Sequence, residues 1–165
     1  MTRAVLSLGS NMGDRMAYLR LAVDGFRDVL EKVSPVYETA PWGVADQPDF
    51  LNAVLIVSSP EIDEWGWLRR GQSLETAAGR VREQRWGPRT LDVDVVTVDG
   101  VTSDHPDLLL PHPGTPTRAT VLIPWLAVAP NAELPGQGPI AALLAALPEK
   151  DRTDVQERKD LTLAN

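Results

Sequence analysis

The chain has 165 residues, 14 Pro, 12 Gly and no Cys, with 16 basic side chains against 23 acidic for a net charge of -7. That length suits one domain, residues 1–165, and an apolar share of 43% is enough for a core, which excludes wholesale disorder. The missing cysteine excludes disulfides, zinc–thiolate sites, iron–sulfur clusters and thiol catalysis, and the acidic balance argues against nucleic acid or an anionic membrane as partner.

At the N-terminus, Met1 to Gly9 holds no long apolar run ahead of a small-residue cleavage site, and no later stretch approaches the ~20 apolar residues of a membrane span, so a cytoplasmic domain is expected. Ala4 to Leu8 alternates small and aliphatic residues and stops at Gly9-Ser10-Asn11, a strand entering a turn. From about Asp14, Leu19, Ala22, Val23, Phe26, Val29 and Leu30 recur at three and four, which predicts an amphipathic helix to about Lys32. Val33 to Thr39 reads as a short strand broken by Pro35, and Ala40 to Pro48 as a loop holding Trp42. Phe50 to Ser58 is nearly continuous apolar, the pattern of a central strand. A helix follows from Pro60, its turns marked by Ile62, Trp65, Leu68, Gln72, Glu75 and Ala78, and closes near Gly79 as a C-terminal cap. Arg80 to Thr90 reads as a basic loop, Leu91 to Val98 as a strand, and Asp99-Gly100 as a hairpin-type turn. Val121 to Ala129, with Pro124 inside, fits a short buried helix or an irregular core segment, and Ile140 to Leu147 a last helix. Residues 150–165 are charged and are expected to be poorly ordered. The order strand, helix, strand, strand, helix, strand predicts an α+β, ferredoxin-like sandwich, an antiparallel sheet with helices on one face.

Asp92 and Asp94 are the sharpest chemical feature. Strand residues two apart share a face at roughly 6–7 Å, so both carboxylates point the same way while Leu91, Val93 and Val95 face the core. A dicarboxylate of this kind is either a solvated strand edge or a seat for a hard divalent cation that fills its shell with phosphate oxygens and water. Of the 16 basic residues 13 are Arg, and Arg80, Arg82, Arg85 and Arg89, offset by Glu83, form a local +3 island just before the acids. Arginine forks match phosphate oxygens in pairs, so this arrangement suits a polyphosphate; salt bridging is the alternative. Phe50 and Asn52 share a strand face, an aromatic plane beside an amide that suits a flat heterocycle, or else a core ring and a ladder end. His112 stands between Pro111 and Pro113 with Arg118 six residues on, and a phosphate contact or a structural role fits it.

Gly9-Ser10-Asn11, Gln47-Pro48-Asp49-Phe50-Leu51-Asn52, Gly79-Arg80-Val81-Arg82, the run from Arg85-Trp86-Gly87-Pro88-Arg89 through Thr90-Leu91-Asp92-Val93-Asp94, and Leu110-Pro111-His112-Pro113 with Arg118 together resemble the 6-hydroxymethyl-7,8-dihydropterin pyrophosphokinase family. The resemblance spans about residues 3–147 in collinear order. It implies a single catalytic domain, usually monomeric, that moves the diphosphate of ATP to the pterin hydroxymethyl group and leaves AMP. It implies two Mg²⁺ ions on Asp92 and Asp94, an ATP site of Gln72, Arg82, Arg85, Trp86, His112 and Arg118, and Arg80 and Arg89 on a loop that closes over the reacting phosphates. It implies a pterin pocket of Thr39, Trp42, Phe50 and Asn52. Where the family usually has a stacking aromatic two residues after the arginine, this chain has Thr120, so pterin binding is weaker, another Trp substitutes, or the substrate differs. Two other readings compete: a nucleotide-binding relative without activity, and a two-metal polymerase or nuclease site, which the acidic charge disfavours.

Overall fold

The computed structural model describes residues 2–39, 49–79 and 90–163. Strand β1 (Thr2–Ser10) runs into helix α1 (Arg15–Gly25), whose first turn is capped by the Asp14 carboxylate accepting from the Ala17 N–H at 3.1 Å. The apolar spacing continues to Leu30, yet the helix stops at Gly25. A methyl group on Gly25 would lie 2.4 Å from Leu74 of the second helix, so close helix approach needs a glycine there. After a 3₁₀ turn, Leu30–Val33 forms strand β2 instead of the predicted last helical turn. Leu30 pairs with Val57, because the long apolar strand β4 (Phe50–Ser59) offers it a ladder. Pro35 then separates β2 from β3 (Tyr37–Thr39), as predicted.

Helix α2 (Glu64–Ala77) starts later than Pro60, at an Asp63 cap that accepts from the Gly66 N–H at 2.8 Å. It ends before Gly79, whose φ of +74° is the left-handed conformation expected just past a helix. Strand β5 (Asp92–Val98) turns at Asp99-Gly100, with Gly100 at φ +73°. The hairpin of β6 (Ser103–His105) and β7 (Leu108–Leu110) follows, then α3 (Ala119–Val128) with Pro124 inside it. The short ribbon of β8 (Glu133–Leu134) and β9 (Gly138–Pro139) leads into α4 (Ile140–Ala145).

The chain end differs from expectation. Residues 150–163 are ordered against the body: α5 (Glu149–Thr153) precedes β10 (Gln156–Glu157), which pairs antiparallel with β3. The Arg158 N–H donates to Val36 O at 2.8 Å, and Leu163 is buried in the core. Charge is a poor guide here, since Arg158 pairs with Asp160 and with the distant Glu38, contacts that composition does not reveal.

The main sheet is antiparallel in the order β10-β3-β4-β1-β5, with β2 also on β4. Strand alternation sends Leu6, Leu8, Leu51, Ala53, Leu55, Val93 and Val95 to one face, where Leu19 and Val23 of α1 and Trp67 of α2 close the core. Val5, Val54 and Val96 face the other way and are covered by Val121, Leu122 and Trp125 of α3 and Ile140 of α4. Helices therefore lie on both faces of the sheet, where the sequence reading placed them on one. The difference matters, because α3 and α4 cover only one end of the second face.

Candidate active site

The uncovered end of that face is assembled by strand register. Tyr37, Asn52, Gly9 and Asp92 stand opposite one another across β3, β4, β1 and β5. Two rungs back along β1, Ser7 lies between Val54 and Asp94. At about 5 Å per strand step, Asn52 and Asp92 are separated by about 10 Å with only Gly9 between them. A methyl group on Gly9 would sit 3.4 Å from Asn52 Oδ1 and 3.6 Å from the Phe50 ring, so the missing side chain leaves the floor open. Asn52 Nδ2 donates to Thr39 Oγ1 at 3.1 Å, and Thr39 is the cross-strand partner of Phe50. The structure thus brings Thr39, Phe50 and Asn52 together on one side of Gly9.

On the other side stand Asp92 and Asp94, both half-buried and facing away from the core, as the alternation predicts. Burial pushes the Asp94 carboxyl well above the usual carboxylate range, and the charge of Asp92, a hydrogen bond to it and the charge of Glu75 push the same way; Arg118 pulls weakly against them. Glu75 escaped the sequence reading, where it served only to mark a turn of α2. Its side chain is 3% exposed and its Oε2 accepts the Val93 N–H, between the two acids, at 2.8 Å. The one available signal was a glutamate on the apolar stripe of an otherwise amphipathic helix. Gly71, one turn earlier, lets α2 approach this strand, since a methyl there would fall 2.9 Å from Val93 Cγ1. Gln72 lies exposed on the same helix, one turn before Glu75.

His112 is tied to the strand edge by its own N–H, which donates to Val96 O at 2.9 Å. Its Nδ1 accepts from the Gly114 N–H at 3.3 Å, so the neutral ring carries its proton on Nε2. Burial, helped by the Arg118 charge and opposed by Asp92, lowers its pKa below the ordinary histidine value. Arg118 precedes α3, and its guanidinium packs over Gly114, where a methyl would approach within 2.6 Å. Thr120 is half-buried in the first turn of α3, which packs against β3 and β4. Three described tryptophans sit elsewhere: Trp67 and Trp125 in the two cores and Trp65 edge-on to His105 at 4.9 Å. Trp42, Arg80, Arg82, Arg85, Trp86 and Arg89 lie outside the described residues.

Among the described residues, no three His, Asp or Glu side chains converge as a ready metal cage. The donor set nevertheless fits a hard cation that takes much of its shell from a ligand, because two carboxylates share a face and repel each other. A cavity of about 240 Å³ lined by Arg3, Thr97, Asp99 and Trp125 shares no residue with this site and opens at the opposite end of β1. No described helix is long and apolar enough to cross a membrane.

Fold and site together define an α+β protein with an acidic pair and an amide–aromatic floor at the open end of an antiparallel sheet. Residues 5–130 match the model of the 7,8-dihydro-6-hydroxymethylpterin-pyrophosphokinase (HPPK) family. The chain is 51% identical to a 2-amino-4-hydroxy-6-hydroxymethyldihydropteridine pyrophosphokinase of Mycobacterium tuberculosis (strain ATCC 25618 / H37Rv), over 94% of this chain and 89% of that one. It is 49% identical to the protein of the same name in Mycobacterium leprae (strain TN), over 100% and 90%, and 37% identical to that of Bacillus subtilis (strain 168), over 79% and 80%. The chain belongs to the HPPK family. Among solved structures, an HPPK-DHPS in complex with substrates superimposes with a TM-score of 0.70 at 12% identity, over 88% of this chain and 43% of that chain. Plasmodium falciparum HPPK-DHPS wild type with STZ-DHP gives 0.68 at 15%, over 87% and 43%. The chain thus spans less than half the length of those solved chains, and at such identity the likeness speaks for the fold.

Proposed function

We propose that the register row Asn52–Gly9–Asp92 is the reaction line of a diphosphotransferase that moves the β,γ-diphosphate of ATP to the hydroxymethyl group of 6-hydroxymethyl-7,8-dihydropterin. The activity is that of the family. The assignment to these residues rests on one observation: an amide beside an aromatic ring and a dicarboxylate face the same way, about 10 Å apart, across a residue without a side chain. A bicyclic ring laid over Gly9, against Phe50 and with its polar edge at Asn52, directs its substituent toward Asp92.

Asp92 and Asp94 would hold two Mg²⁺ ions, which would neutralise charge on the phosphoryl oxygens. The neutral His112 offers Nε2–H to a phosphate oxygen, and Arg118 beside it supplies fixed positive charge. Gln72, Arg82, Arg85 and Trp86 complete the ATP side, and Arg80 and Arg89 cover the reacting phosphates; these assignments rest on family resemblance. In the transfer, the hydroxymethyl oxygen bonds to the β-phosphorus as the bond from the β-phosphorus to the α,β-bridging oxygen breaks. AMP departs with that oxygen, and the hydroxyl proton passes to a carboxylate oxygen of Asp92. Catalysis here is chiefly positioning and charge compensation.

Thr120 offers no aromatic face, so Phe50 carries the stacking, with Trp42 as the candidate for the second face. The strand order of the sheet supports the ferredoxin-like name for the fold. A monomer working in the cytoplasm completes the reading. The test is incubation with ATP, Mg²⁺ and the hydroxymethyl dihydropterin: AMP and a pterin diphosphate are expected, and ADP, or no nucleotide product, refutes the assignment.

A further inference from the structure

Strand β3 supplies Thr39, whose hydroxyl orients the Asn52 amide, but it is a three-residue strand near the sheet edge. What holds it is a side-chain network from parts of the chain far apart in sequence. Glu38, in the middle of β3, accepts Arg15 Nη1 on Oε2 at 2.5 Å and Arg158 Nη1 on Oε1 at 3.0 Å. The same Arg15 Nη1 donates to the main-chain oxygen of Asp49 at 3.0 Å, so one guanidinium joins the end of β3 to the start of β4. Arg158 is itself held by a two-point contact with Asp160, its Nε to Oδ1 at 3.0 Å and its Nη2 to Oδ2 at 2.8 Å. Its main-chain N–H reaches Val36 O, and Gln156 pairs with Glu38 across the ladder. The three charged side chains are only 24–32% exposed, and the guanidinium of Arg15, followed by that of Arg158, holds the Glu38 carboxyl below the usual carboxylate range.

We propose that Arg15, Glu38 and Arg158 form a positioning network for the pterin pocket, so that the C-terminal segment beyond β10 sets pterin affinity without touching the substrate. The path is short. Glu38 fixes β3, the next residue Thr39 accepts from Asn52 Nδ2, and that contact turns Asn52 Oδ1 toward the floor at Gly9. The described side-chain contacts of Arg15 and Arg158 run to Glu38, Asp49 and Asp160, on the Asn52 side of Gly9. Charge-assisted contacts of this kind are strong enough to help hold a three-residue strand in register.

This inference rests on the pterin assignment above, and its test separates the two. Glu38→Gln, Arg158→Ala and Arg158→Lys are compared with the parent protein for the KM of pterin and of ATP, for kcat, and for pterin affinity by calorimetry with an unreactive ATP analogue. The expected result is a pterin KM and dissociation constant raised about five- to tenfold in Glu38→Gln and Arg158→Ala, with the ATP KM within about twofold, and partial recovery in Arg158→Lys, which keeps the charge but loses the fork. Folded variants with unchanged pterin affinity, or with both KM values raised alike, overturn the proposal, since a purely structural role has no reason to single out one substrate. If the parent forms no AMP, the pterin assignment fails at the level of reaction. Calorimetry then still decides the network: unequal pterin affinities uphold it, and equal affinities or no pterin binding overturn it.

Discussion

Glu75 allows the sharpest separation of structure from charge. In Glu75→Ala the Val93 N–H, now bonded at 2.8 Å to a side chain that is 3% exposed, loses its acceptor inside the protein. An orphaned buried donor costs about 1–3 kcal/mol. Removing the charge works the other way, because Glu75 is one of the groups that push the Asp94 carboxyl upward. Glu75→Gln keeps a carbonyl oxygen for Val93 while losing the same charge. In metal-free buffer at pH 7 Glu75→Gln should therefore be more stable than Glu75→Ala. At about 2–4 °C per kcal/mol for a chain of this size, thermal unfolding followed by circular dichroism should show Ala roughly 2–12 °C below Gln. Carboxyl-resolved NMR should also find Asp94 titrating at lower pH in Glu75→Gln. A Gln variant as unstable as Ala would refute the role of that hydrogen bond in fixing the acidic strand.

Other substitutions probe the remaining parts of the site. Asp94→Asn should abolish Mg²⁺-dependent turnover while leaving the metal-free fold intact or more stable. A carboxyl raised in the folded state contributes stability that is complete below its unfolded pKa and is lost as pH rises through the folded value, so the variant's unfolding temperature should fall less than the parent's between about pH 4 and 7. His112 behaves in the opposite sense: with a lowered folded pKa, its contribution is present above the unfolded value near 6.5 and disappears as pH falls through the folded one, and ¹⁵N NMR should find the Nε2–H tautomer and a midpoint below 6.5. Gly9→Ala should raise the pterin KM severalfold with little change for ATP, because the new methyl meets Asn52 and Phe50 and not the acids; equal effects on both substrates would count against the register row as the reaction line.

The facing of the strand-borne side chains was legible in the sequence because strand alternation is a strict rule. Asp92 and Asp94 had to face together, Phe50 had to share a side with Asn52, and both pairs do. What stayed hidden depended on contacts between distant segments. The last turn predicted for α1 became β2 because β4 offers Leu30 and Val33 partners, and local periodicity carries no information about a strand that arrives twenty residues later. The tail looked like solvated charge, yet Arg158 finds Glu38 at a separation of 120 residues. Glu75 looked like a helix marker because nothing in its own helix shows that a backbone N–H of β5 needs an acceptor there.

The same face of one sheet serves as core at one end and carries the proposed reaction surface at the other, and the change has a local cause. Along β5 the pairing with β1 shifts between Val5 and Leu6, so that Leu6 opposes Val95 while Val5 opposes Thr97, and Val96 is the extra residue. A bulge of this kind turns the strand and increases its twist. It falls where the cover changes: Val96 packs under α3 with Val5 and Val54, whereas Asp94 and Asp92 lie beyond it on the uncovered side. Val96 O also receives the His112 N–H, so the residue that marks the boundary anchors the histidine beside the acids. Deleting Val96 would join Val95 to Thr97, which already oppose the adjacent Leu6 and Val5, and so restore a regular ladder with Asp94 and Asp92 still opposite Ser7 and Gly9. What the deletion would remove is the side chain that packs with Val5 and Val54 under α3 and the carbonyl that holds the His112 N–H, so the bulge marks the boundary of the covered face while strand alternation sets the facing of the acids.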